Sequence, residues 1–184
     1  MEAYLFDAKL RRRGKPTSFR LEIYRTDSVT ALNGRGYLGK NALRGRMTDD
    51  SLEVYFPSSN EYLYEAVVDL VVASDCTSEL SVLRLPALLA TPPEEGSLGD
   101  AGVDRRDPSD SERQELTITW PSCPWRMELL YDRRDGEWRL REFFFDDGGE
   151  TTLTADRRTY KSRANIKGRY FLMRMPSDAV RITP

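Results

Sequence analysis

Short stretches of alternating apolar and polar residues recur along most of the chain. The run at 18–24 places three apolar residues at every second position: Phe19, Leu21 and Ile23. The run at 51–56 does the same with Leu52, Val54 and Phe56. A period of two residues puts one set of side chains on one face of a β-strand and the other set on the opposite face. These runs therefore predict strands that each have one apolar face.

The alternation continues in many further segments. They lie at 3–10, 28–38, 42–48, 60–66, 114–120, 125–132, 137–145, 150–156, 159–167 and 169–175. Turn-forming residues bound many of them: Asn33-Gly34, Asp49-Asp50, Pro57–Asn60, Arg134–Gly136 and Asp146–Gly149. Turns about every 8–12 residues, without long crossover connections, are typical of a large antiparallel sheet. We predict a mainly β protein with about eleven strands in one large curled antiparallel sheet, an unclosed half-barrel.

Two segments depart from the strand pattern. The segment at 65–90 is rich in leucine, is broken by Pro86, and predicts one or two helices covering the concave face of the sheet. It would act either as a core helix closing one side of the sheet or as a lid over a cavity. Residues 92–112 carry seven acidic residues against two arginines, with three prolines and three glycines, and predict a flexible acidic loop. Both segments belong to a single predicted domain spanning 1–184.

Composition narrows the possible chemistry. The 184 residues include 28 Lys and Arg, 30 Asp and Glu, and no histidine, so the formal net charge is −2. Outside 92–112 the chain has 26 basic and 23 acidic residues, which makes it a near-neutral body with one acidic segment. The absence of histidine excludes His-based triads, His general bases and His-ligated metal sites. The sequence pI of about 5.4, without a basic stripe, argues against a nucleic-acid partner.

The two cysteines and the start of the chain bear on the compartment. Cys76 and Cys123 are too few for a zinc cluster, and could form a disulfide or remain two buried thiols. No apolar run reaches the ~18–20 residues that would span a bilayer. Met1 is not followed by a charged and apolar leader, so the protein is expected to be either cytoplasmic or to have lost a leader before this sequence begins.

No constellation of residues points to catalysis. The acidic pairs Asp49-Asp50 and Asp146-Asp147 stand at turns, where aspartate is favoured for its hydrogen bonds to the backbone. The segment 146–150 lacks the spaced oxygen ligands of a Ca²⁺ loop, and the serines have no neighbouring base. The run Arg11–Arg13 could touch phosphates, although a solvated hairpin end is the simpler interpretation. We expect a protein that is not an enzyme and uses no cofactor or metal.

The C-terminal third carries a family resemblance. Five of its residues stand at the places of an F-x-F-x-x-P-x-x-A/G-x-x-I/V pattern: Phe171, Met173, Pro176, Ala179 and Ile182, with Met173 where the pattern has Phe. Residues 42–65 (ALRGRMTDDSLEVYFPSSNEYLYE) match a repeated hairpin more weakly. In both respects the chain resembles the lipoprotein-carrier family, which includes the periplasmic carrier LolA and its outer-membrane receptor LolB.

The resemblance implies an unclosed barrel whose apolar cavity accepts the acyl chains of lipoproteins, without metal and without bond-breaking chemistry. It also implies a periplasmic or outer-membrane-anchored protein of the cell envelope, whose partners are an acyl lipid or a lipoprotein and an envelope protein. If each strand turns its more apolar face inward, the cavity is lined by Leu21, Ile23, Leu52, Val54, Phe56, Leu129, Tyr131, Trp138, Leu140 and Phe144. The helical segment would cover it with Leu83, Leu85 and Leu88.

The strand at 137–145 ends in three consecutive aromatic residues, Phe143-Phe144-Phe145, so both of its faces are expected to be covered there. Strict alternation places Trp138, Leu140 and Phe144 on one side, and Arg139, Arg141, Phe143 and Phe145 on the other. In any of the strands, a register slip of one residue would invert the assignment of faces. The alternative function is a non-catalytic interaction domain of the same fold, part of an envelope complex, with these side chains filling the core. Such a domain would bind a protein through an edge strand or through the 92–112 segment.

Overall fold

The computed structural model describes residues 1–12, 14–66, 88–94, 96–98, 100–107, 112–149, 151–162, 164–173 and 175–182. Within these ranges twelve strands form one sheet in the order β12-β6-β5-β4-β3-β2-β1-β11-β10-β9-β8-β7. The strands are β1 Glu2–Arg12, β2 Lys15–Arg25, β3 Thr30–Arg35, β4 Asn41–Met47, β5 Ser51–Phe56, β6 Glu61–Ala66, β7 Gly102–Arg106, β8 Arg113–Thr119, β9 Arg126–Arg134, β10 Glu137–Asp146, β11 Thr151–Lys161 and β12 Val180–Ile182. Short 3-10 helices lie at Tyr37–Gly39 and Gly168–Phe171.

The sheet has two edges, β7 and β12, so it is unclosed, as predicted. Consecutive strands from β2 to β6 and from β7 to β11 pair antiparallel, whereas β12 pairs parallel with β6. The prediction of a mainly antiparallel β protein is therefore confirmed. Among the described residues, no helix has the length and apolar character that a membrane crossing requires.

The chain forms two compact units. Unit 1 consists of Met1–Ala8, Ser18–Leu70 and Arg157–Pro184, and unit 2 of Lys9–Thr17 and Val71–Asp156. In unit 1 the ring of Tyr4 packs against that of Tyr160 at 5.0 Å between centroids, and in unit 2 Trp125 contacts both Trp120 and Phe145 edge to face. Cys123 is buried in unit 2 and is disulfide-bonded. Of the two states left open by the sequence, this supports the oxidised one.

Most of the predicted turns lie between strands. At the β9–β10 turn, Asp135 and Gly136 have φ values of 53° and 82°, the pair of positive angles that a two-residue hairpin of matching twist requires. Asn33-Gly34 is the exception, because it lies inside β3 instead of at a turn. The side chain of Leu43 occupies the space over Gly34, where a Cβ would come within 2.8 Å of Leu43 Cγ. Packing, not chain reversal, accounts for this glycine.

Three sequence-based boundaries are wrong. The run at 150–156 and only the first three residues of the run at 159–167 belong to one strand, β11. The segment 169–175 is not a strand but begins in the 3-10 helix at Gly168–Phe171. The predicted acidic loop contains β7, which lies at the edge of the sheet and pairs only with β8 among the described strands. Edge strands are commonly charged and short, because this discourages pairing between molecules, and such a strand reads as a loop. The predicted helical segment falls mainly on 67–87, outside the described residues.

Candidate functional site

Strands β2 to β6 of unit 1 present a continuous apolar surface. One row of Cα partners crosses all five strands: Ile23, Leu32, Gly45, Val54 and Leu63. We define the apolar face by its seven side chains, Leu21, Ile23, Leu32, Leu43, Leu52, Val54 and Leu63. Their exposed fractions are between 0% and 7%, so the face is covered. Its members carry no charge, and whatever covers them meets a purely aliphatic surface.

At two positions of this face a glycine is covered by a leucine of the adjacent strand. A Cβ on Gly45 would lie 2.9 Å from Leu32 Cδ1, and one on Gly34 would lie 2.8 Å from Leu43 Cγ. Real Cβ atoms do not approach side chains so closely, so each leucine lies over the position of its partner glycine. The side chains of Leu32 and Leu43 thus fill the space that a side chain at Gly45 or Gly34 would occupy.

Strands β8 to β11 of unit 2 have a comparable apolar surface. Two rows of Cα partners cross them: Leu116, Leu129, Phe143 and Ala155, and Ile118, Met127, Phe145 and Leu153. All eight are at most 2% exposed. Their aromatic and sulfur-containing side chains make this surface less uniform than the apolar face of unit 1.

The structure divides the predicted cavity residues into three groups. Fully or nearly fully buried are Leu21, Ile23, Leu52, Val54, Leu88, Leu129, Tyr131 and Leu140. Partly exposed are Phe56, Trp138 and Phe144. Leu83 and Leu85 lie outside the described residues. The first group includes four members of the apolar face of unit 1, whereas the residues from 129 onward lie in unit 2. Whether these residues bind a ligand stays a prediction.

A β-bulge overturns the predicted faces of β10. Leu140 pairs with Tyr131 and Glu142 with Leu130, so Arg141 is an extra residue without a Cα partner on β9. The extra residue shifts the alternation, and Phe143 joins the face of Leu140 instead of the opposite one. Phe144 therefore points away from Leu140, between Glu128 and Thr154 of the adjacent strands. The assignment of Trp138, Leu140 and Phe144 to one face is wrong, because the sequence gives no signal for the bulge.

Two hydrogen bonds fix the chain at residues 88–89 to β9 and β10. The Tyr131 hydroxyl donates to the Leu88 carbonyl oxygen at 2.7 Å, and the Leu140 N–H donates to the Leu89 carbonyl oxygen at 2.8 Å. Leu140 precedes the first residue that pairs with β11, which leaves its N–H available. Burial raises the pKa of Tyr131, so its hydroxyl remains a donor. These bonds anchor residues 88–89, which belong to the described C-terminal end of the predicted helical segment at 65–90.

A polar cavity lies on the other face of β3 and β4. We call it the arginine cavity; its volume is about 460 Å³, and its polar and charged residues are Asn33, Arg35, Asn41, Arg44, Arg46 and Arg169. Register places Asn33 opposite Arg44 and Ala31 opposite Arg46, so these side chains share the face that points away from the apolar face. Residues 169–173 form its other side. Sequence reasoning missed this site, although arginines at alternate positions 44 and 46 are a signal for it.

An aromatic contact holds residues 169–173 over the strands. The rings of Tyr24 and Tyr170 lie 4.8 Å apart, and the Tyr24 hydroxyl donates to Glu22 at 3.2 Å. Glu22 also forms an ion pair with Arg35 at 3.2 Å. Burial, followed by the negative charge of Glu22, raises the pKa of Tyr24 to about 12. The phenol of Tyr24 therefore stays neutral, and the Glu22 carboxylate binds both the Tyr24 hydroxyl and the Arg35 guanidinium.

Unit 2 has a second cavity, of about 520 Å³, with mixed charge. Its lining includes Phe144, two arginines and four acidic residues, and Arg126 pairs with Glu128 at 2.6 Å. Within the described part of the chain, no group of three or more acidic or cysteine side chains could hold a metal ion. The acidic pair at the β10–β11 turn serves the backbone: Asp146 accepts from Gly148 N–H, and Asp147 accepts from Gly149 and Thr151 N–H.

Comparisons with known proteins show similarity at the level of the fold. No protein-family model and no curated protein matches the sequence. A solved structure of a DUF1329 family protein from Desulfovibrio piger is 12% identical, with a TM-score of 0.50, over 93% of this chain and 89% of the other. A conserved protein from Thermus thermophilus is 13% identical, with a TM-score of 0.47, over 97% of this chain and 89% of the other. The former supports the fold assignment and nothing finer.

Proposed function

We propose that the protein binds an acyl chain, free or attached to a lipid-modified protein, on the apolar face of unit 1 and catalyses no reaction. The observation that carries this proposal is the row of aliphatic residues that crosses five strands without a charged or polar side chain. Each methylene removed from water contributes about 0.8 kcal/mol, so a chain of a dozen carbons needs no polar contact to bind. Binding requires displacement of what covers the face, because its side chains are at most 7% exposed.

The compartment proposed for this activity is the bacterial cell envelope, in the periplasm or at the outer membrane. The disulfide at Cys123 supports an oxidising compartment, because cytosolic reductants keep most thiols reduced. In the envelope the ligand would be an acyl lipid or a lipoprotein on its way between membranes. Transfer to another site would need a receptor with higher affinity, since binding alone has no direction.

The experiment measures binding of a fluorescent fatty acid to protein stripped of lipid, with Val54 as the probed position. Val54→Thr keeps the shape of the side chain and adds a hydroxyl to the apolar face, so we expect binding to weaken several-fold. Tyr55→Phe changes one atom on the opposite face of the same strand and is expected to leave binding unchanged. Val54→Glu should abolish binding, and circular dichroism reports whether that variant is folded. Saturable binding that is equal in wild type and Val54→Thr would refute the assignment of this face.

A second candidate is the interaction domain with a filled core. The observation in its favour is that Leu21, Ile23, Leu52 and Val54 have no exposed surface. Native mass spectrometry of protein purified from cells separates the two candidates. Bound acyl lipid near one equivalent supports the first, whereas a ligand-free mass that does not change on incubation with acylated peptide supports the second. The charged edge strand β7, with Asp104, Arg105 and Arg106, is where a polar protein partner would then be sought.

A further inference from the structure

The arginine cavity carries more positive than negative charge. Its four guanidinium groups belong to Arg35, Arg44, Arg46 and Arg169. Two carboxylates belong to the same face: Glu22, which is bound to Arg35, and Glu53, which is the Cα partner of Arg46 on β5. Neither Arg44 nor Arg46 forms an ion pair with a described residue. Arg44 and Arg46 lie two residues apart on β4 and face Asn33 and Ala31 on β3, so an anion bound beside them would offset the repulsion between the two guanidinium groups.

Two buried donors in the cavity have no acceptor. No described residue accepts a hydrogen bond from Arg46 Nε or from Asn33 Nδ2, although both atoms are inaccessible to solvent. A buried donor without a partner is costly, and native structures contain few of them. Both donors belong to residues that line the same cavity, next to Arg44. An anion with several oxygen atoms could accept from both side chains.

The size and the cover of the cavity fit a small ligand. A volume of about 460 Å³ lies within the range of small-molecule sites, and it exceeds what one inorganic anion fills. Residues 169–173 give it a second wall, held in place by the contact between Tyr170 and Tyr24. The volume beyond that of one anion could hold a group attached to it, beside the apolar residues Phe171, Leu172 and Met173.

We propose that the arginine cavity binds a phosphate group. Guanidinium forks match phosphate oxygens in pairs, and three strand arginines with an asparagine amide provide more donors than a carboxylate could use. The phosphate could belong to a free phosphate compound or to the headgroup of an anionic phospholipid. The site does not depend on acyl binding, because Arg44 and Arg46 lie on the opposite side of the sheet from the apolar face.

The test is calorimetric titration of the full chain with inorganic phosphate, dihexanoyl phosphatidylglycerol and dihexanoylglycerol. The last two share their acyl chains and differ in the phosphate headgroup. The variants are Arg44→Gln, Arg46→Gln and Arg44→Lys, the last keeping the charge but losing the fork. The matched control is Arg106→Gln, which removes the same charge at a side chain that is 79% exposed in unit 2. Thermal melting establishes that each variant is folded, and Arg44 is exposed, so that its replacement spares the core.

We expect saturable binding of a phosphate compound that weakens about tenfold or more in Arg44→Gln and Arg46→Gln, less in Arg44→Lys, and not in Arg106→Gln. Binding of inorganic phosphate identifies a free phosphate as sufficient, whereas binding of phosphatidylglycerol alone identifies a lipid headgroup. Equal affinity for dihexanoylglycerol and phosphatidylglycerol would overturn the proposal, as would unchanged affinity in the glutamine variants or no saturable binding of either phosphate compound. None of these outcomes alters the fatty-acid assay with Val54→Thr, which reports on the other face.

Discussion

Replacement of Tyr131 by phenylalanine tests the anchoring of residues 88–89 to the sheet. Tyr131 has no exposed surface, and its hydroxyl donates to the Leu88 carbonyl oxygen at 2.7 Å, near the optimum for this type of bond. Leu88 is itself 5% exposed, so that solvent does not replace the lost donor. Losing the bond and leaving a buried carbonyl unsatisfied costs about 1–3 kcal/mol. We therefore expect Tyr131→Phe to lower the free energy of unfolding by about 2 kcal/mol.

Urea unfolding followed by circular dichroism measures this change, and for a chain of this length it corresponds to a fall in Tm of about 4–8 °C. Tyr62→Phe is the matched control, because Tyr62 is partly exposed and makes no side-chain hydrogen bond to a described residue. Amide hydrogen exchange at Leu140 gives a second readout. Its N–H donates to Leu89, so exchange should accelerate if the anchoring loosens. A loss below about 0.5 kcal/mol, equal to that of Tyr62→Phe, would refute the account of this contact.

Three further predictions concern the core, a tyrosine and the disulfide. Phe145→Ala should lower the free energy of unfolding, measured with urea, by about 3–5 kcal/mol, since Phe145 has no exposed surface. Phe144→Ala, on the other face of β10, should lower it clearly less. Equal losses of stability in the two variants would contradict the bulge. Tyr24 should ionise near pH 12 in a difference absorbance titration against Tyr24→Phe. Because its folded pKa is raised, its contribution to stability is complete below about pH 10 and is lost as the pH rises toward 12. An ordinary tyrosine pKa would contradict the burial of this side chain. Reduction of the disulfide at Cys123 should lower the free energy of unfolding by about 2–4 kcal/mol. The same reducing treatment should not change the stability of Cys123→Ser, which lacks the bond. An unchanged Tm after reduction of the wild type would show that the disulfide contributes nothing to stability.

The sequence predicts those parts of the fold that depend on local patterning. Alternation at 18–24 and 51–56 identified strands whose inner residues, Leu21 and Val54 among them, are fully buried. Features decided by packing between strands were not predictable. The bulge at Arg141 depends on the pairing of β10 with β9, and the glycine of Asn33-Gly34 is required by Leu43 on the next strand. Neither partner is visible from local sequence.

The candidate sites follow the same division. An apolar surface could be expected because aliphatic residues at alternate positions must be buried together. The arginine cavity could not, because it needs the register that places Asn33 opposite Arg44 and the crossing of residues 169–173 over that face. The segment 169–175 alternates like a strand, and only its contact with Tyr24 through Tyr170 shows that it packs on the sheet instead of joining it.

The strand order has a consequence for the timing of folding. β1 lies beside β11, and β12 lies beside β6, so both flanks of the β1–β6 segment are completed by strands that are more than a hundred residues away in sequence. Asn60 stabilises the second of these junctions. Its side-chain amide donates to Asp178, and its main-chain carbonyl oxygen accepts from the Val180 N–H. Contacts between such distant segments form late and slowly, because a long chain must be closed first. During synthesis the edges of β1 and β6 therefore stay without their β11 and β12 neighbours until those later strands have been made.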